Sequence, residues 1–421
     1  MKIKFVNALA LLKENEEYVL KKQEVLIENN LIKTVADCIN ENADRIIDVK
    51  ENILMSGFVN SHAHNVMTLL RGIKNDVSLQ TWLFDYIFPN EKKLTPSDIY
   101  WGEMLGIAES VRSGITCFEE NYFHFEKIIQ AVNKSQIRAR IGIGKDFCGN
   151  SLQEDLTKTL KLFTNKDLVK PVVYPHSIYT VSEEDMETFV TFAKNNNLPV
   201  STHLSETLKE VGECINLRKQ TPPQYLESMG FFDRNATLYH CVHMDKDDTQ
   251  ILQSYNVNIV TCPSSNLKLA SGFAPIYSFL QKGLNVAIGT DGPASNDSID
   301  MFKEMFLVAT LQKAYLGESE AITVCQVLDM ATINGAKALG YDKLGKIEEG
   351  YLADIILVDV NGLHHMPKNN LISNLVYSAK SSDVYFTMVN GNILYENGQF
   401  NLGEDINTIK QNCEKIAKKF N

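Results

Sequence analysis

The sequence predicts an α/β fold: a (β/α)8 TIM barrel with a small β-sandwich built from both chain ends. Three observations predict it. The middle of the chain alternates short β-rich runs with helical stretches, the pattern of repeated βα units around a parallel sheet. Six of eight such runs finish on an ionisable or metal-binding residue, and barrels place their chemistry at the C-terminal strand ends. The two chain ends read instead as hairpins.

The eight runs are 53–62, 114–118, 139–145, 169–175, 198–203, 237–240, 257–261 and 286–289. Helix starts fall between them: Thr95-Pro96-Ser97-Asp98, Ser182-Glu183-Glu184-Asp185, and Asp245 through Asp248. Each offers a side-chain cap followed by acids in the first turn. A doubly wound open sheet is the runner-up, but neither G-x-G-x-x-G nor G-x-x-x-x-G-K-[ST] follows the first strand. Near the start, residues 24–28 and 31–35 flank Asn29-Asn30. Near the end, 354–358 reads as a strand, 386–389 meets 392–395 across Asn390-Gly391, and Asn397-Gly398 follows. An amphipathic helix over 406–420 is expected to pack on the surface. The expected division is 1–55 with 346–421 as the composite sandwich, and 56–345 as the catalytic barrel.

Composition narrows the function. The 421 residues carry 41 Lys+Arg against 52 Asp+Glu, a formal net charge of −11, with no basic stripe to neutralise phosphates. Nucleic acid is excluded as a partner, while a mononucleoside substrate is not. No run of about 18 apolar residues calls for a membrane span. The first thirty residues hold no continuous apolar stretch of the secretory type. Cys38, Cys117, Cys148, Cys214, Cys241, Cys262, Cys325 and Cys413 are scattered without a C-x-x-C pair, which reads as reduced thiols in a cytoplasmic protein. A homo-oligomer is left open.

Reading each strand to its end gives His62 and His64, Glu119 and Glu120, His176, His203, His240 and Asp291. His62-Ala63-His64 is an H-x-H in extended chain, where residues i and i+2 point the same way and reach one ion. His203 follows an apolar strand and reads either as a capped core histidine or as a ligand. Glu206, three residues on, reads either as a first-turn acid favoured by the helix dipole or as a catalytic acid facing the same cavity. Asp291 precedes Gly292, an ordinary turn pair, but as the last strand closing onto His62 and His64 it reads as a ligand. Three neutral imidazoles and one carboxylate suit one divalent ion, Zn2+ before Fe2+, with a position open for water. His240 and His243 are three apart, so one serves the site and the other the structure, with His240 nearer the strand end. His176 sits in a Pro-flanked loop that aims it at substrate. His364 and His365 are adjacent, are expected to point apart, and read as structural.

So assembled, the chain resembles the amidohydrolase superfamily and is most similar to its 5′-methylthioadenosine, S-adenosylhomocysteine and adenosine deaminases, close to the chlorohydrolase-like group. The motifs that carry this are Phe58-Val59-Asn60-Ser61-His62-Ala63-His64, Leu69-Leu70-Arg71-Gly72, His203-Leu204-Ser205-Glu206-Thr207, His240-Cys241-Val242-His243, Pro263-Ser264-Ser265-Asn266-Leu267-Lys268-Leu269 and Gly289-Thr290-Asp291-Gly292. The resemblance implies one divalent metal on His62, His64, His203 and Asp291, catalysis by Glu206, His240 and Asp291, and substrate contacts from Trp82, Glu91, His176 and Glu206. The Glu91 carboxylate is expected to grip ribose hydroxyls. Binuclear members carry a carboxylated lysine at the end of the fourth strand; here that strand ends on His176, and Lys170 stands at its beginning. The chain departs from its relatives at 142–150, which holds no arginine where they use arginines for substrate, and Lys145 cannot supply that bidentate fork.

The implied reaction is hydrolytic deamination of an adenosine-type nucleoside, with metal-bound hydroxide attacking the amine-bearing ring carbon. Competing readings are a guanine or other free-base deaminase, a triazine-type chlorohydrolase, and a non-catalytic binding barrel. Against the last stands the intact set of four ligands with Glu206 and His240.

Overall fold

The computed structural model describes residues 1–146, 150–165 and 167–420. Strands β1 (Lys2–Glu14), β2 (Glu17–Glu28) and β3 (Leu31–Ala36) form an antiparallel meander, and β4 (Arg45–Asp48) and β5 (Ile53–Ser56) run parallel to β1. The β2–β3 turn falls on Asn29-Asn30 as expected. The β1–β2 hairpin escaped the sequence reading because Asn15 and Glu16, at φ 46° and 67°, turn the chain without a glycine.

Eight parallel strands follow: β6 (Phe58–Ala63), β7 (Ile115–Glu120), β8 (Arg138–Ile143), β9 (Val169–Val173), β10 (Val200–Leu204), β11 (Ala236–His240), β12 (Asn258–Thr261) and β13 (Asn285–Ile288). They pair in sequence order from β6 to β13. A parallel bridge between Ala63 and Asp291, with Asp291 N donating to His62 O at 3.0 Å, brings the last strand back to the first. Each predicted run thus supplies one barrel strand, with one correction. Run 53–62 is two strands: β5 joins the outer sheet, and the chain changes sheets at Gly57 before β6 enters the barrel. A Cβ at Gly57 would stand 2.1 Å from Thr116 Cγ2, so only glycine lets the two backbones approach.

The C-terminal part adds β14 (Ile355–Val358), β15 (Val384–Val389), β16 (Asn392–Glu396) and β17 (Gln399–Phe400). Strand β14 lies antiparallel to β5, which completes one mixed nine-stranded sheet from both chain ends. Its own core joins Phe5, Val25 and Leu54 to Ile355, Leu357 and Phe386, with the Phe5 and Phe386 rings edge to face at 5.6 Å. Each such fully buried side chain contributes about 1.5–3 kcal/mol of transfer free energy.

The three predicted helix starts cap the helices Pro96–Arg112, Glu183–Asn196 and Lys246–Ser254, on Thr95, Ser182 and Asp245. The last helix, Ile406–Ala417, lies against Pro96–Arg112, where Cys413 Sγ meets Trp101 O at 3.3 Å. The seven described cysteines are free thiols; Cys148 lies outside the described residues. Among the described residues no helix is long and apolar enough to cross a membrane.

Candidate active site

The strand ends gather the predicted side chains in one place. His62 stands next to last in β6 and His64 directly follows the strand, and each Nε2 lies 3.4 Å from Asp291 Oδ1. The donor atoms of His62, His203, His240 and Asp291 all lie within 4.8 Å of one another. The backbone turns sharply where these residues stand: Ser205, His240 and Asp291 adopt φ of 50°, 67° and 59°, left-handed values that cost non-glycine residues energy and gather at functional sites.

Hydrogen bonds aim the ring nitrogens inward. His64 Nδ1 bonds Asn121 O at 2.5 Å and His203 Nδ1 bonds His176 O at 2.8 Å, so in both rings Nδ1 carries the proton and Nε2 offers a lone pair. Asp291 Oδ2 accepts from Ser265 Oγ at 2.6 Å and Ser295 Oγ at 2.7 Å, leaving Oδ1 for the histidines. His240 Nδ1 bonds Asn266 Oδ1 at 2.8 Å, which turns its Nε2 to within 3.9 Å of Glu206 Oε2.

The electrostatics divide the imidazoles. Burial pushes His62 down to about 3, and burial with neighbouring rings holds His203 well below the usual imidazole range; burial lowers His64 too. All three are neutral at pH 7 and fit to ligate. For His240 burial acts in the same direction, but the Glu206 and Asp291 carboxylates outweigh it and raise its value. Burial raises Glu206 above the ordinary carboxylate range, and despite burial the imidazoles hold Asp291 well below it.

The donor set fits a divalent cation. Three neutral imidazoles and one ionised carboxylate converge, and His62 Nε2 is buried with no hydrogen-bond partner among the described residues. Such an orphan is costly unless something else occupies it. Lys170, at the N-terminal end of β9, donates to Gly340 O and lies 4.1 Å over the Tyr341 ring, so it takes no part in this cluster.

The cluster opens on a cavity of about 40 Å³ lined by His64, Met67, Leu79, Trp82, Leu83, His176, Tyr179, His203, Glu206, His240, Leu269 and Asp291. Trp82 reaches it from the π-helical turn Trp82–Ile87, with its buried Nε1 unpartnered among the described residues. His176 lines it as well, its ring 4.6 Å from His203 and its Nδ1 2.9 Å from Thr180 Oγ1; burial lowers it to about 3. Glu91 does not line it. Its carboxylate accepts from Tyr122 OH at 2.7 Å, and Tyr122, itself not a lining residue, has its ring 6.5 Å from that of His64. Burial pushes Glu91 up to about 7.

The other histidines separate cleanly. His243 Nε2 bonds Ser271 O at 2.7 Å, a structural role beside His240's site role. His364 and His365 do not point apart: both Nε2 atoms reach Asp383 Oδ2, at 2.8 and 3.2 Å, because the 3-10 turn Leu363–His365 curls one imidazole beside the other. In the 142–150 stretch Lys145 pairs with Asp185 at 3.6 Å, and residues 147–149 lie outside the described residues. Sequence reasoning missed Ser265, Ser295 and Asn266, although they or their neighbours stand in quoted motifs. It also missed Glu210, whose two oxygens take Ser205 N and Glu206 N at 2.9 and 2.8 Å and set the turn that presents Glu206.

The amidohydrolase family profile matches residues 53–394. The chain belongs to the amidohydrolase family. This amidohydrolase is 39% identical to a 5-methylthioadenosine/S-adenosylhomocysteine deaminase of Thermoanaerobacter pseudethanolicus, over 99% of each chain. It is 40% identical to a 5′-deoxyadenosine deaminase of Methanosphaera stadtmanae, over 90% of each. Among solved structures, an adenosine deaminase from Xanthomonas campestris with bound zinc superposes at a TM-score of 0.94, with 30% identity, over 100% of this chain and 98% of that one. This amidohydrolase is accordingly a hydrolase of carbon–nitrogen bonds, a deaminase.

Proposed function

We propose that this amidohydrolase releases ammonia from an adenosine-type nucleoside: 5′-methylthioadenosine, S-adenosylhomocysteine or adenosine. The observation that carries the reading is the placement of Glu206 and His240 on one side of a neutral-histidine and aspartate cluster, inside a pocket walled by Trp82, Leu79, Leu83 and Leu269. Apolar walls with few convergent polar groups suit a heteroaromatic ring. The similarity to the Thermoanaerobacter and Methanosphaera deaminases supports the same substrate class.

His62, His64, His203 and Asp291 would hold one divalent ion, Zn2+ by analogy with the Xanthomonas enzyme. The donor atoms of His240 lie in the same 4.8 Å cluster as those of His62, His203 and Asp291, yet His240 is assigned to proton transfer, because its Nε2 stands 3.9 Å from Glu206 Oε2. A divalent ion in such a site supplies Lewis acidity and makes water acidic enough to react near neutral pH.

The chain's own groups do the rest. Glu206, whose pKa burial raises, donates a proton to the ring nitrogen next to the amine-bearing carbon, which makes that carbon electrophilic. Asp291 and His240 orient the attacking water and take its proton as its oxygen bonds to the carbon. A proton from Asp291 then accompanies the amine as the carbon–nitrogen bond breaks and ammonia leaves, and the remaining hydroxyl proton returns to Glu206 as the carbonyl forms. Trp82 and His176 position the ring, and Glu91, tied to Tyr122 OH and off the cavity wall, reaches ribose hydroxyls only once Tyr122 gives way on substrate entry.

The test is an ammonia-release panel on zinc-loaded protein. Turnover of the adenosine analogues with none of guanine, cytosine or triazines is the expected result; preference for a free base overturns the nucleoside reading.

A further inference from the structure

Glu119 stands next to last in the barrel strand β7, yet it has no part in the proposed chemistry. Its carboxylate turns into the barrel, where Arg140 Nε donates to Oε2 at 2.8 Å and Arg140 Nη2 reaches the same oxygen. Ser201 Oγ donates to Oε1 at 3.0 Å, and the Tyr239 hydroxyl donates to Oε1 as well. Arg140 continues to Ala338 O at 2.6 Å and Thr237 Oγ1 at 2.8 Å. Glu119, Arg140 and Tyr239 are all at most 1% exposed. A buried ion pair of this kind contributes little net stability, because desolvation offsets the attraction. What it does achieve is to fix the Tyr239 ring.

That ring lies flat under His62: the centroids are 3.8 Å apart and the planes 22° from parallel. The other rings around His62 meet it on edge, His64 at 82°, His203 at 80° and His240 at 83°. Near-parallel overlap of two neutral rings is not the arrangement electrostatics favours. The same overlap becomes attractive once the imidazole carries positive charge, since a cation prefers the face of an aromatic ring. A carboxylate hydrogen-bonded to the phenol adds electron density to that face.

We propose that Tyr239 is a positioning residue for the metal ligand His62, and that Glu119, braced by Arg140, holds it in place. The stack sets the plane of the imidazole so that Nε2 faces the other ligands, and it stabilises the charge His62 acquires when a cation binds. The inference rests on the metal-site reading and is independent of the substrate.

The experiment measures metal affinity without substrate. Zinc-loaded wild type, Tyr239→Phe, Tyr239→Leu and Glu119→Gln are titrated with a competing chelator, and Tm is recorded for metal-loaded and metal-free protein. Tyr239→Phe, which keeps the ring and loses its tie, is expected to bind zinc about 10-fold more weakly, and Tyr239→Leu up to about 100-fold, the range for groups that orient ligands. The rise in Tm on zinc binding shrinks in step, and saturating zinc restores the Tyr239→Phe turnover. If Tyr239→Phe and Tyr239→Leu bind zinc like wild type, while Tm falls equally with and without metal, Tyr239 merely fills the core and the proposal is overturned. Should Glu119→Gln fail to fold, the two Tyr239 variants still decide, since neither alters a charge. A nucleoside panel that fails would leave these affinities untouched.

Discussion

At the scale of single residues, Glu206 separates chemistry from scaffolding most sharply. Its side chain lies 3.9 Å from His240 and 3.5 Å from Ser271 Oγ, and burial favours its neutral form. Glu206→Gln keeps the shape and removes the transferable proton. Turnover should fall about 10²–10⁴-fold, with metal content per chain unchanged; metal lost along with activity would make Glu206 a ligand or part of the scaffold instead. Glu206 was legible because it follows His203 at a spacing that keeps both on one cavity. So were His62 and His64, since extended chain aims alternate residues alike. The groups that orient them were not legible. Ser265, Ser295 and Asn266 look like helix-start residues, and nothing in their spacing says that their hydroxyl and amide groups face Asp291 and His240. Nothing in the sequence marks Tyr239 within its β-rich run, because a buried hydroxyl shows its partner only once strands are side by side. The His364-His365 pair went the other way: adjacency implies divergence in a strand but not in a 3-10 turn.

At the scale of elements, the barrel is joined to the outer sheet at Gly57. A single apolar run crosses from β5 to β6, so the sequence showed a strand but not the change of sheet inside it. Periodicity is blind to that change, because both segments are buried on every residue. The hairpins with Asn-Asn or Asn-Gly were readable from their turn chemistry, whereas Asn15-Glu16 was not. The strands pair in sequence order around the barrel, which is why residues read at separate strand ends meet in one place. Gly57→Ala tests the junction. Its Cβ would meet Thr116 Cγ2 at 2.1 Å, Oγ1 at 2.3 Å and Cβ at 2.7 Å, none of them the free end of a long side chain. A destabilisation of about 1–3 kcal/mol or more is expected by overpacking, read as a lower Tm. Adding Thr116→Ala removes the two nearer contacts but not the third, so the double variant should recover part of the loss. An unchanged Tm in Gly57→Ala would mean that the two sheets slide apart freely at this point.

At the scale of the whole molecule, stability should depend on pH through acids that lie outside the proposed proton transfers. Glu103, Glu120, Glu210 and Glu304 are all at most 2% exposed, and burial raises each of them: Glu103 to about 8, Glu210 and Glu304 to about 7, and Glu120 well above its usual value. Below about pH 4.5 the folded and unfolded chains are both protonated at these positions, and the groups leave stability unchanged. As pH rises past 4.5 the unfolded carboxylates ionise while the folded ones keep their protons. The folded state then binds more protons, so stability falls with rising pH until the folded values near 7 and 8 are passed. Glu103, raised to about 8, makes the probe. It lies on the helix Pro96–Arg112, accepts from Asn65 Nδ2 at 3.3 Å through Oε1, and keeps Oε2 unpartnered among the described residues. Glu103→Gln retains the acceptor and removes the ionisable group. It should match wild type near pH 4 and gain about 1–3 kcal/mol by pH 9, seen as a Tm difference that opens as pH rises. A Tm difference that stays constant from pH 4 to pH 9 would show that Glu103 is ionised in the folded protein, with a counter-charge that its surroundings do not display.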